Sequence, residues 1–123
     1  MAVDVLIVDD SAAIRKILQR ILGRSGLVLR DILEAGDGAE ALEKLKAHGV
    51  HLILSDINMP NMDGIQLLTE LKSNAEFKNI PVIMITTEGS EAKVMEALRL
   101  GASGYVRKPF SAEQIKEKLS GLC

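Results

Sequence analysis

The chain is predicted to fold as a doubly wound α/β unit, a (βα)5 three-layer sandwich whose five-stranded sheet is parallel. Three observations predict it. Five short aliphatic or β-branched runs recur along 123 residues, each is followed by an amphipathic segment, and within the runs apolar residues are mostly consecutive rather than alternating. Continuous apolarity suits strands covered on both faces, which crossover helices provide in a parallel sheet.

The strands are expected at residues 3–8, 29–34, 52–54, 82–86 and 105–107, with Pro81 at a strand start, where a missing N–H is tolerated. The first helix has the clearest periodicity: Ile14, Ile17, Leu18, Ile21 and Leu22 share one face, opposite Arg15, Lys16 and Arg20. Ser11 or Asp10 can cap its start and Gly23 can end it. A second helix is expected over 37–48 with Ala41, Leu42 and Leu45 inward. A third starts near Asp63-Gly64 and buries Ile65, Leu67, Leu68 and Leu71. The fourth, over about 90–100, presents Val94, Ala97 and Leu98 and ends at Gly101. The fifth begins at Ser111, with Glu113 and Gln114 supporting the cap and Ile115 and Leu119 inward.

Length and composition bound the function. A chain of 123 residues with 47% hydrophobic residues makes one domain, 1–123, too short for a catalytic and a regulatory domain together. Its apolar stretches fall well below the ~18 residues of a membrane span, and its start lacks a secretory pattern. The one cysteine, Cys123, has no intrachain partner and reads as an exposed tail. A cytoplasmic location is expected. A net charge of −2 without a basic stripe, one Tyr and no Trp argue against direct nucleic-acid binding.

The chemistry gathers at strand ends. In doubly wound sheets ligands collect beyond the C-terminal edge, where the predicted strands deliver Asp9, Asp10, Asp56, Thr86 and Lys108. Singly, each has an ordinary reading as a loop residue, a helix cap, a strand residue or a surface lysine. Together they describe a site. Two carboxylates ~4 Å apart repel by roughly 4 kcal/mol at an effective dielectric of 20, which a divalent cation relieves. Oxygen ligands with retained water suit Mg²⁺. An aspartate can accept a phosphoryl group covalently, with a lysine and a hydroxyl meeting the charge on its oxygens.

Asp9-Asp10, Asp56 within SDINMPNMDG, Thr86 within PVIMITTE, and the segment GYVRKPF that begins at Gly104 span nearly the whole chain. In this order they resemble the response-regulator receiver domains, specifically the stand-alone chemotaxis regulators of the CheY type. The resemblance implies the strand order 2-1-3-4-5 and a phosphorylation-activated switch of a two-component system. It implies Asp56 as acceptor from a histidine kinase, with Mg²⁺ held by Asp10, Asp56 and the Asn58 backbone carbonyl, and by Asp9 through water. Lys108, aimed inward by a cis Lys108-Pro109 bond, would pair with the phosphoryl oxygens. Thr86 and Tyr105 would relay the change to the face of helix four, strand five and helix five, where a downstream partner binds. Asn58 and Glu88 would modulate the phosphoryl lifetime, and Thr87, larger than the Ala or Gly often found there, would narrow access. Beyond its own phosphotransfer and autodephosphorylation, no enzyme activity is implied. A phosphatase is a possible further partner.

Two other readings compete. A Mg²⁺-dependent phosphohydrolase could use the same aspartyl-phosphate, but no inserted cap for substrate specificity exists. The segment from Gly36 to Ala41 matches G-x-G-x-x-A with Asp56 about 20 residues on, as a dinucleotide fingerprint asks. It follows the second strand rather than the first, and Asp37 as a helix cap between glycines explains it. His48 and His51 straddle a helix end and a strand, so a histidine metal site is not expected.

Overall fold

The computed structural model describes residues 2–87 and 91–120. Its elements alternate as expected: β1 (Val3–Val8), α1 (Ala12–Gly23), β2 (Leu29–Ala35), α2 (Gly38–Ala47), β3 (Leu52–Asp56), α3 (Gly64–Lys72), β4 (Val82–Thr86), α4 (Glu91–Arg99), β5 (Gly104–Arg107) and α5 (Ala112–Ser120). All pairings are parallel, in the order β2-β1-β3-β4-β5. Strand order reverses between β1 and β3, which opens the crevice at their C-terminal ends.

Period-2 alternation divides the strands between two cores. Leu6 and Val8 of β1, Ile53 of β3 and Met84 of β4 pack with Ala41 and Leu45 of α2, Leu67, Leu68 and Leu71 of α3, and Val94 and Ala97 of α4. Val5, Ile7, Leu52, Leu54, Ile83 and Ile85 face the other way, against Leu18 and Leu22 of α1 and Ile115 and Leu119 of α5. Each fully buried aliphatic side chain stabilises the fold by roughly 1.5–3 kcal/mol before chain entropy is charged against it.

The helix caps follow their chemistry. Ser11 caps α1 by accepting from the Ile14 amide at 3.3 Å. Asp37 and His48 bound α2 as its caps rather than lying inside it. Asp63 and Gln66 form a capping box on α3, and Ser111 and Gln114 exchange the corresponding bonds before α5 at 2.9 and 3.2 Å. Glu113 takes no part in that exchange.

Some expectations need correction. Ile17 is 43% exposed and Leu98 38% exposed, because each lies at the margin of its helix's apolar stripe. Ile65 is only half-buried. Gly23 is the last residue of α1, and the cap falls on Arg24. Strand β3 runs on through Ser55 and Asp56, polar residues carried by pairing with both neighbours. Arg15 does not point to solvent: it is half-buried against Glu34 and the Asp9 carbonyl.

Candidate functional site: an acidic crevice at the strand ends

Sheet register builds the site. Val8 pairs with Ser55, so Asp9 and Asp56 occupy the next rung on adjacent strands. Asp56 in turn pairs with Ile85, and Thr86 with Arg107, which brings Lys108 to the same edge. The Lys108 amide donates to the Thr86 carbonyl at 2.6 Å, and the Lys108-Pro109 bond is cis.

The lysine ties two of the carboxylates together. Lys108 Nζ lies 3.1 Å from Asp9 Oδ2 and 3.2 Å from Asp56 Oδ2. The other oxygen of Asp9 accepts from the Ser11 amide at 2.9 Å, and that of Asp56 from the Ile57 amide at 2.8 Å. Both side chains are buried, while Asp10 is exposed at the mouth. One carboxylate oxygen from each of Asp9, Asp10 and Asp56 can be chosen so that all three lie within 4.8 Å of one another. These residues are able to share a divalent cation.

Electrostatics follow from burial. Burial raises the pKa of the Asp56 carboxyl, the negative charge of Asp9 raises it further, and Lys108 offsets only part of this. Burial works against the charge on Lys108, but its bond to Asp9 and its attraction to Asp56 and Asp9 prevail, so its pKa is raised. The crevice therefore holds an excess of negative charge that its own lysine does not cancel.

The remaining expected residues surround this centre. Thr86 is fully buried, and its hydroxyl donates to the Thr87 carbonyl at 3.2 Å. Thr87 and Asn58 are exposed, and the Asn58 side chain accepts from Lys93 Nζ of α4 at 2.9 Å. Tyr105 is half-buried against the core, with the Lys118 ammonium 5.8 Å from its ring centre. Glu88 lies outside the described residues.

Two supporting groups escaped the sequence reading. Arg15 donates through Nη1 to the Asp9 carbonyl and through Nε to Glu34 at 2.9 Å, fixing the turn that carries the aspartate pair. That bond pulls the Glu34 pKa down, although burial opposes it. Lys93 touches Asn58 across 35 positions of sequence, a contact without a local signal.

Packing accounts for the segment that imitates a dinucleotide fingerprint. Asp37 accepts from the Glu40 amide at 2.8 Å and from the Asn61 side chain at 2.8 Å. A Cβ on Gly38 would stand 2.7–2.9 Å from Met62, so this glycine lets the loop after β3 close over α2.

Comparison with known proteins agrees with this geometry. A chemotaxis protein CheY1 from Helicobacter pylori is 46% identical over 115 residues, covering 93% of this chain and 91% of that protein. The structure of the chemotaxis response regulator CheY4 of Vibrio cholerae superposes with a TM-score of 0.87 at 34% identity, each chain covered fully. The Mn²⁺-bound form of the response regulator Rcp1 superposes with a TM-score of 0.80 at 29% identity, over 97% of this chain and 90% of that one. The model of the response regulator receiver domain matches residues 5–120, and with that span the chain belongs to the receiver-domain family of two-component signalling.

Proposed function

We propose that residues 1–123 act as one phosphorylation-gated, Mg²⁺-dependent switch in a cytoplasmic chemotaxis or motility pathway. Asp56 is the phosphoryl acceptor, from a phosphohistidine of a sensor kinase. The observation that carries this reading is the Lys108 ammonium, 3.1 Å from Asp9 and 3.2 Å from Asp56, with the three residues supplied by three different strand ends. Asp10, exposed at the mouth, would hold the metal with Asp56 and the Asn58 carbonyl, while Asp9 would act through water.

The absence of a metal-independent balance supports a cation. Three carboxylates face one lysine, and bound Mg²⁺ would supply charge neutralisation and hold a phosphate donor's oxygens. Rcp1, the structural relative named above, binds Mn²⁺, another hard divalent cation. Raising Mg²⁺ from zero to tens of millimolar is expected to raise the Tm progressively, since the ion binds the folded chain alone. Asp10→Asn should lose most of that rise. A melting curve that ignores Mg²⁺ would remove the metal from this account.

Once Asp56 carries phosphate, Lys108 pairs with its oxygens and Thr86 exchanges its Thr87 carbonyl for one of them. Tyr105 follows, altering the face of α4, β5 and α5. Two features support that reading: Met95 and Leu98 of α4 are 57% and 38% exposed, and a groove over β5 and α5 is lined by residues that include Tyr105, Arg107, Gln114 and Lys118. Phosphorylation can bias the face only by as much as phosphate binds its two states differently. Glu88, Asn58 and Thr87 set how fast water returns Asp56 to its free form, with a phosphatase as a further partner.

The test is acetyl phosphate with Mg²⁺, followed by intact mass. One phosphoryl group per chain, decaying over time, is expected. Sustained turnover of small phosphate esters would instead identify a hydrolase.

A further inference from the structure

At the far end of β1 from the acidic crevice, a second polar cluster is built into the sheet edge. Asp4 is the one acidic residue within the β1 run, and it is 1% exposed. The β1–β2 register slips there, Val3 facing Leu29 while Val5 faces Ile32. An extra residue in one strand re-aims its side chains, and here it turns both Arg30 and Asp31 onto Asp4. Asp4 Oδ1 accepts from Arg30 Nε and from the Asp31 amide, each at 3.0 Å, and Oδ2 accepts from Arg30 Nη2. The guanidinium holds the Asp4 carboxyl far below the usual carboxylate range.

His48, the C-cap of α2, completes the group. Its Nε2 lies 3.4 Å from Asp4 Oδ2 and 3.7 Å from Asp31 Oδ2. That nitrogen is closed off from solvent and has no hydrogen-bond partner among the described residues. The His48 side chain as a whole is 40% exposed, yet this one nitrogen faces two carboxylates without an aligned hydrogen bond to either, which is unfavourable for a polar atom closed off from water and needs an explanation. His51 offers none, because its Nδ1 accepts from the Asp4 amide at 3.0 Å.

Ligand geometry supplies one. Zinc bonds of ~2.0–2.1 Å to imidazole nitrogen and carboxylate oxygen in a tetrahedron set neighbouring ligand atoms about 3.4 Å apart. Both distances from Nε2 fall within a few tenths of an ångström of that, and the three ligand atoms lie within 4.8 Å of one another. Each carboxylate oxygen has two lone pairs, so Asp4 Oδ2 can keep Arg30 and still bind a cation. One nitrogen and two oxygens suit a borderline cation better than magnesium.

We propose that Asp4, Asp31 and His48 form a second metal site, for a zinc-type divalent cation, with Arg30 orienting Asp4 from outside. The fourth position is left to water. Such an ion clamps the C-terminus of α2 to the β1–β2 edge. Asp4 precedes Asp9 by five residues on one strand, about 16 Å at ~3.3 Å per residue. The site is therefore separate from the phosphoryl chemistry.

The test is calorimetric titration of chelator-stripped protein with Zn²⁺ in saturating Mg²⁺. Wild type should bind one equivalent, His48→Gln and Asp31→Asn should each lose at least tenfold in affinity, and His51→Gln and Asp10→Asn should keep the wild-type isotherm. Asp31 is exposed, so its variant remains informative if His48→Gln folds poorly. No binding by wild type would overturn the proposal. An isotherm unchanged by Asp31→Asn, or one lost in Asp10→Asn, would overturn it too.

Discussion

Asp56→Asn is expected to reduce phosphoryl uptake from acetyl phosphate to background and, in the same molecule, to raise the melting temperature. The first effect follows from the proposed role of Asp56, since the amide has no oxygen anion to attack with. The second follows from burial: ionised Asp56 is desolvated and faces Asp9, so its pKa in the folded chain is raised above the ordinary aspartate value. A carboxyl with a raised folded-state pKa holds its proton longer in the native state than in the unfolded one. Stability therefore falls as pH rises through the window between the two pKa values. The neutral amide escapes that loss. Asn keeps an acceptor for the Ile57 amide, and Lys108 keeps Asp9. A gain on the order of 1 kcal/mol, or about 4 °C in Tm for a domain of this size, is expected at neutral pH without Mg²⁺. The gain should vanish toward and below pH 3.8, where wild-type Asp56 is protonated as well. Melts across pH and intact mass after acetyl phosphate check both halves. Phosphorylation of the variant to the wild-type extent would move the acceptor elsewhere, and an equal or lower Tm at neutral pH would mean that Asp56 carries no net electrostatic cost.

How much of this was legible in the sequence depends on the range of each interaction. Strands and helices were readable because their signals are local: consecutive apolar residues, the i, i+3, i+4 stripe of α1, and the caps Ser11, Asp37 and Ser111. The crevice was readable because topology does the long-range work, delivering every C-terminal strand end to one edge whatever the loops do. What escaped depended on register. The run from Val3 to Val8 reads as one apolar block, and only the slip opposite it reveals that Asp4 is buried against Arg30 and Asp31. Arg15 lies on the polar side of α1 by periodicity, yet its long side chain reaches past the helix to Glu34 and the Asp9 carbonyl. Leu98 failed in the opposite sense, since a residue at the margin of a stripe is covered only if a neighbour extends that far.

Gly64→Ala should be among the most damaging single changes in the chain, although it adds only one methyl group. A Cβ built on Gly64 would stand 2.2 Å from the Asp56 carbonyl oxygen, 2.9 Å from Ile57 Cα and 2.9 Å from Met84 Cε. Met84 can rotate away, but the other two atoms are backbone of the strand end that carries Asp56. The glycine is also pinned, its amide donating to the Ile57 carbonyl at 2.8 Å. Relief therefore requires α3 to back off from β3, at the expense of the packing of Leu67, Leu68 and Leu71. A loss of about 3 kcal/mol is expected, in the range of severe core overpacking, which corresponds to a Tm lower by roughly 12 °C. Gly23→Ala is the control, because a Cβ there meets nothing within 4 Å and the residue lies in a helix. It should gain up to about 1 kcal/mol. If denaturant melts put the two variants within about 1.4 kcal/mol of each other, one tenfold step in the folding equilibrium, the close approach of α3 to β3 is not what requires Gly64. The same contact couples stability to the proposed chemistry, since any retreat of α3 drags on the carbonyl of Asp56. Gly64→Ala is thus expected to slow acetyl-phosphate labelling of the molecules that remain folded, whereas Gly23→Ala leaves that rate unchanged.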